Sequence, residues 1–351
     1  MFPSTSPHPG RDPRADDAHA RPGPASPSRG YPPGPRTGPA DDGGGRPERK
    51  GPRRLRKGGS ARLPDDESAD APEEEVPPVP VRRPLALTIA GFAALLGVGL
   101  VLGAQTAGPG HRLPFAFIVL GVQLLFVLAW TMAMRPPALL VVALVSAAAA
   151  AIADAAAVQS EIAGLAPLGY AAAAGFVFGV LGQLVRRVDR VRVTDSLGST
   201  LLIVVGVVAF ASLIVLSRVP KGTQAMTVCL TATGVALLMA RLTDAVAPWP
   251  RLAPQVPRGA AGVVVGAMLG TLTSAVLGSY LVGFTPTSAA LVGLVTAATA
   301  VLADLAVGYA EAGRLMAGEP PTMWIARHMQ GPLGGFALAA PAAYVMCVLF
   351  L

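Results

Sequence analysis

Two acidic residues, Asp154 and Asp304, fall well inside long apolar runs of the sequence. A carboxylate held in hydrocarbon costs several kcal/mol, so each one needs a cation, access to water or a function. Asp304 lies about two turns from the predicted inner end of its helix. Arg241, Asp244 and Arg314 are predicted at or just beyond helix ends on the same side, and Arg258 follows in a short basic connection. These five, Asp304, Arg241, Asp244, Arg258 and Arg314, are the candidate ligand-binding residues. The alternative for Asp304 is a purely structural ion pair, with Arg241 the first choice of partner and Arg314 the second. Asp154 sits near the outer end of its predicted helix and reads as an interfacial carboxylate within reach of water.

Other chemistry finds little support in residue type and spacing. Cys229 and Cys347 fall in apolar segments with no Cys-x-x-Cys spacing nearby and read as buried free thiols. No catalytic residue, metal ligand or cofactor is assigned on spacing alone.

Those residues must be positioned by elements suited to a bilayer. Of the 351 residues, 52% are hydrophobic and 14% charged, and the mean hydropathy is +0.53, too apolar for an ordinary soluble domain. Composition changes abruptly near Arg83. Residues 1–83 hold 15 Lys/Arg and 13 Asp/Glu, so of the formal +7 the tail carries +2 and the remainder +5. The tail is rich in Pro, Gly and charge without periodicity, and is expected to be a disordered polyampholyte tether. It carries a basic block at 46–62 followed by an acidic block at 65–75. Residues 1–10 lack the charged start and apolar run of a secretory signal, so the first span is expected to direct insertion. The positive excess is too sparse for nucleic acid, which is excluded as a partner.

From residue 84 onward, apolar runs long enough to cross about 30 Å of hydrocarbon recur between short polar breaks. They predict nine spans, at 84–103, 113–134, 137–158, 164–185, 196–217, 224–241, 259–282, 288–310 and 332–351. The fold class expected is therefore all-α, a polytopic transmembrane helix bundle, with domains at 1–83 and 84–351. Pro137 is expected to open the third helix. A separate interfacial helix is expected over 322–329, with Trp324 at headgroup level. Loop charge tests the count. With the tail inside, inner connections carry ten Lys/Arg and outer ones three, the bias of a protein with its N-terminus in the cytoplasm and its C-terminus outside the cell membrane. Gly262, Gly266 and Gly270, and Gly175 with Gly179, are spaced for close helix packing.

Several motifs then point to one family. Leu252-Ala253-Pro254-Gln255-Val256, with Gly259 after it and a glycine-rich helix following, resembles the middle of bacterial phosphatidate cytidylyltransferases, the polytopic enzymes that make CDP-diacylglycerol. Ala232-Thr233-Gly234, in a helix reaching Arg241-Leu242, is similar to that family's Asp-(Ser/Thr)-Gly helix. Ala303-Asp304-Leu305 is similar to its Gly-Asp-Leu, and Gly334-Gly335 with Ala340-Pro341 to its last helix. The resemblance covers residues 226–351. Within it the family's metal-binding aspartate is replaced by Ala232. Its Ser-Pro-x-Lys run is reduced to Pro257-Arg258-Gly259-Ala260, and its closing acidic motif to Leu333-Gly334-Gly335-Phe336-Ala337-Leu338. The family holds divalent metal with those aspartates, so the resemblance implies a non-catalytic relative, a pseudoenzyme, with a phospholipid ligand or a membrane-protein partner. Two rival readings are a transporter whose path uses Asp304 and Asp154, and an active lipid-modifying transferase with a rearranged site.

Overall fold

A backbone crossing hydrocarbon must satisfy its own hydrogen bonds, and a run of about 20 apolar residues does so only as a helix. The computed structural model describes residues 79–107, 112–185, 192–320 and 322–350. The basic and acidic blocks of the tail, Arg186, Arg187 and Arg190, Pro321 and Leu351 lie outside the described residues. Among the described residues nine helices are long and apolar enough to span a membrane, and the chain is a polytopic integral membrane protein. They are α1 (Arg83–Ala104), α2 (Leu113–Met134), α3 (Leu139–Gln159), α4 (Ala166–Val185), α5 (Val193–Leu216), α6 (Gly222–Val246), α7 (Ala260–Gly278), α8 (Pro286–Met316) and α9 (Trp324–Phe350). A two-stranded antiparallel hairpin, β1 (Arg251–Ala253) and β2 (Val256–Gly259), joins α6 to α7.

All nine predicted spans appear, and the boundaries that moved have local causes. Pro137 does not open α3: Arg135 takes a left-handed conformation at φ 44° and ends α2, so the turn runs through Ala138 and the helix starts at Leu139. The residue before a proline is disfavoured in the α region, which spreads this turn over the Pro136-Pro137 pair. The separate helix expected at 322–329 is instead the opening of α9, which continues through Pro332 and Pro341. Packed neighbours make proline tolerable in a membrane helix. The 248–259 connection, read from sequence as Pro-rich and basic, contains the hairpin. After α7, α8 starts at a capping box: Thr285 Oγ1 accepts from the Ser288 amide at 3.1 Å, and Ser288 Oγ accepts from the Thr285 amide at 3.0 Å. Its 31 residues span about 46 Å, well beyond a hydrocarbon core of about 30 Å.

Helix α6 packs against α1, α7, α8 and α9, while α5 packs against α2, α3, α4 and α9, so α9 bridges two groups of helices. Small residues allow the closest approach. A Cβ on Gly266 would stand 2.6 Å from the Ala236 carbonyl oxygen and 2.9 Å from the Ala240 Cβ, and one on Gly270 2.6 Å from the Ala232 carbonyl oxygen. The predicted glycine seam of α7 is thus its contact with α6. Gly175 and Gly179 similarly face Val204 and Thr200 of α5.

Contacts between connections sort them into two ends of the bundle. At one end Arg314 Nη1 donates to the Ala133 carbonyl at 3.0 Å, and the Val79 amide donates to the Pro254 carbonyl at 2.9 Å. At the other, Arg218 Nη1 donates to the Ala157 carbonyl at 2.7 Å and Arg112 Nη1 to the Val158 carbonyl at 3.2 Å, while the Tyr344 hydroxyl donates to the Ala163 carbonyl at 3.2 Å. This grouping matches the alternation that nine spans require. Arg218 and Arg112 also supply donors to carbonyls that the end of α3 leaves without helical partners.

Candidate functional site

Arg241 and Asp244 lie three residues apart on α6, one turn before its end, and so project from adjoining positions on its surface. The hairpin then folds the chain back so that Arg258, at the end of β2, returns beside the same turn. Arg258 Nε lies 2.8 Å from Asp244 Oδ2, and the Gly259 amide donates to Asp244 Oδ1 at 3.0 Å. Asp244 therefore meets a donor at the very start of α7, where a negative charge is favoured by the helix dipole. From α8, Asp304 completes the cluster. Arg241 Nη2 lies 2.5 Å from Asp304 Oδ1, and Arg258 Nη1 donates to Asp304 Oδ2. Two guanidinium groups and two carboxylates thus form one chain of contacts, Arg241, Asp304, Arg258, Asp244, drawn from three elements.

Arg258 is 1% exposed and Asp304 is fully buried. Burial works against the charge of Arg258, but the Asp304 and Asp244 carboxylates outweigh it and hold its pKa above the ordinary value. The cluster fits because two glycines leave room for it. A Cβ on Gly262 of α7 would lie 2.4 Å from Asp244 Oδ1, and one on Gly331 of α9 would lie 1.9 Å from Asp304 Oδ1.

The cluster forms part of the wall of a cavity of about 300 Å³ at the end of the bundle where α1 begins. Arg241 and Arg258 line it together with Arg82, Glu311, Arg327 and His328, and the remaining wall is largely apolar, including Leu85, Ile89, Val307 and Trp324. Arg327 Nε pairs with Glu311 Oε1 at 2.7 Å, linking α9 to α8. Residues 79–82 form one rim, held by Val79 bonded to Pro254 and by Arg251 Nη1 donating to the Val79 carbonyl at 2.6 Å. Arg258 Nη2 and Arg241 Nε are buried nitrogens with no hydrogen-bond partner.

Of the five residues singled out from sequence, four converge. The fifth, Arg314, does not: it binds the Ala133 carbonyl at the end of α2 instead of Asp304. Because α8 extends to Met316, Arg314 lies almost three turns beyond Asp304, out of reach of its carboxylate. Asp154 also differs from expectation. It is 5% exposed rather than in reach of water, and it accepts from Gln123 Nε2 at 2.8 Å, which also donates to the Val207 carbonyl at 2.9 Å. The cavity does not include it. Gln123, Gly331, Arg82 and Arg327 were not foreseen. Gln123, a lone amide in the 113–134 run, was the one with a visible signal. Cys229 and Cys347 are buried and free, as read.

Among the described residues no group of three His, Cys, Asp or Glu side chains converges as a metal site would. The three carboxylates at and behind the cavity wall, Glu311, Asp304 and Asp244, are each engaged by an arginine. No protein-family model, curated protein or solved structure matches the chain.

Proposed function

We propose that this chain is a non-catalytic membrane protein that binds the headgroup of an anionic phospholipid in the cavity framed by α1, α8, α9 and the hairpin. The scaffold is a degenerate relative of the phosphatidate cytidylyltransferases, and the bound face is cytoplasmic. One observation carries the reading: Asp304 and Asp244 are both neutralised by Arg241 and Arg258, while Arg258, which lines the cavity, keeps a buried Nη2 without a hydrogen-bond partner. Phosphate oxygens are the natural acceptors for such a nitrogen.

Depth supports the same reading. Asp304 lies 18 residues into α8, roughly 27 Å along its axis, a length comparable to a hydrocarbon layer about 30 Å thick, which supports a position of the cluster toward its edge. Headgroups reside at that level, and the apolar wall beside the arginines suits the glycerol and acyl part of a lipid. The ten-to-three charge bias of the predicted loops supports a cytoplasmic position. The substitution of Ala232 for the family aspartate leaves too few carboxylates for the metal that neutralises nucleotide phosphates in cytidylyl transfer.

Native mass spectrometry of protein released from bilayers of mixed anionic and zwitterionic phospholipid tests the proposal. Retained lipid should be enriched in the anionic component relative to the bilayer. Retention at the bulk ratio would overturn it.

A further inference from the structure

The charges around the cavity can be paired off. Arg241 and Arg258 are matched by Asp304 and Asp244, and Arg327 is matched by Glu311. With histidine counted neutral, as at pH 7, His328 adds nothing. Among the described residues, Arg82 is the remaining charged lining residue. Arg83 and Arg251 lie outside the lining, and Arg314 and Glu319 face a separate crevice that also touches Glu311 and Arg327. Counted together with Asp304 and Asp244 behind it, the described lining therefore carries a net charge of one positive unit in a partly desolvated space.

Resting on the anionic-headgroup reading above, we infer that the site selects a lipid phosphodiester bearing a single negative charge over a phosphomonoester or a nucleotide triphosphate. A phosphodiester has two non-ester oxygens. Arg258 Nη2 and Arg241 Nε, two of the buried nitrogens without hydrogen-bond partners that belong to residues lining the cavity, supply two donors; His328 Nε2 is another such nitrogen. Arg82 balances the charge. A phosphomonoester carries about −1.5 to −2 at pH 7 and three terminal oxygens, so it would bring an unmatched charge into the cavity, where desolvation penalises it. A zwitterionic headgroup meets the opposite difficulty. Its ammonium would need a carboxylate, and Glu311 is already held by Arg327. The apolar wall, with Leu85, Ile89, Val307 and Trp324, assigns the phosphodiester to an intact lipid instead of a soluble headgroup.

The test uses the full-length protein in nanodiscs of zwitterionic lipid containing equal small fractions of phosphatidylglycerol and phosphatidate, with retained lipid counted by native mass spectrometry. Phosphatidylglycerol should be retained several-fold over phosphatidate, whose additional charge would enter the cavity uncompensated. Arg82→Gln should remove most of that retention. Arg82 is exposed and precedes α1, so the variant should melt like the parent protein. Glu311→Gln frees Arg327, raises the lining to two positive units and should move the preference toward phosphatidate. Equal or greater retention of phosphatidate by the parent protein would overturn the phosphodiester inference while leaving an anionic-lipid site. Enrichment of neither anionic lipid would overturn the underlying reading. Displacement of phosphatidylglycerol by equimolar soluble glycerophosphoglycerol would overturn the assignment to a lipid.

Discussion

Asp304 and Arg241, 63 positions apart in the chain, meet at 2.5 Å where α8 crosses α6. Arg258 holds the other oxygen of the same carboxylate, so Asp304 is shared between two cations. Removing one member of such a buried set leaves a charge stranded, at a cost of about 3–5 kcal/mol. Asp304→Asn and Arg241→Gln should each destabilise strongly. Together they should cost less than the two single losses added, read as thermal stability in detergent. Strict additivity would separate the pair.

The reassignment of Arg314 has its own test. Its link to the Ala133 carbonyl is one partly exposed hydrogen bond, so Arg314→Gln should cost about 1 kcal/mol. Combined with Asp304→Asn the losses should simply add, since the two share no partner. A coupling as large as that of Arg241 would place Arg314 back in the cluster.

Packing makes two further residues sensitive. Gly266→Leu would force a side chain into the Ala236 carbonyl and Ala240 and should destabilise by about 1–3 kcal/mol through overpacking. Gly331→Ala adds one methyl group, but that methyl would fall on the Asp304 carboxylate. It should lower the melting temperature and weaken the coupling between Asp304 and Arg241. An alanine variant with parental stability and intact coupling would contradict the contact between α9 and the cluster.

Sidedness can be read by labelling, because both native cysteines are buried. Tyr280, after α7, and Glu319, after α8, are exposed at opposite ends of the bundle. In intact cells a cysteine at Tyr280 should react with an impermeant external reagent, and one at Glu319 should be shielded. The reverse result would invert the topology.

Purified protein should make no CDP-diacylglycerol from phosphatidate and CTP above background, with or without added magnesium. Ala232 cannot ligate a metal, and the cluster carboxylates are held by arginines. Turnover that Asp304→Asn abolished would refute this and restore the enzyme reading.

The sequence by itself determined the spans, the packing face of α7 and one ion pair. Nine apolar runs are legible because helix formation in hydrocarbon depends on length and composition, both local properties. The four-residue spacing of Gly262, Gly266 and Gly270 announced a packing face, and the cost of burying Asp304 demanded a cation, which is why Arg241 could be named in advance. Tertiary structure decided the rest. Whether Arg258 or Arg314 joins Asp304 depends on how far α8 runs and on a hairpin that folds β2 back beneath α6. Neither is visible in residue type. Gly331 touches the cluster, and Gln123 reaches Asp154, only because neighbouring helices take particular rotations about their axes. Those rotations arise from contacts between helices distant in sequence, and a hydropathy pattern contains no term for them.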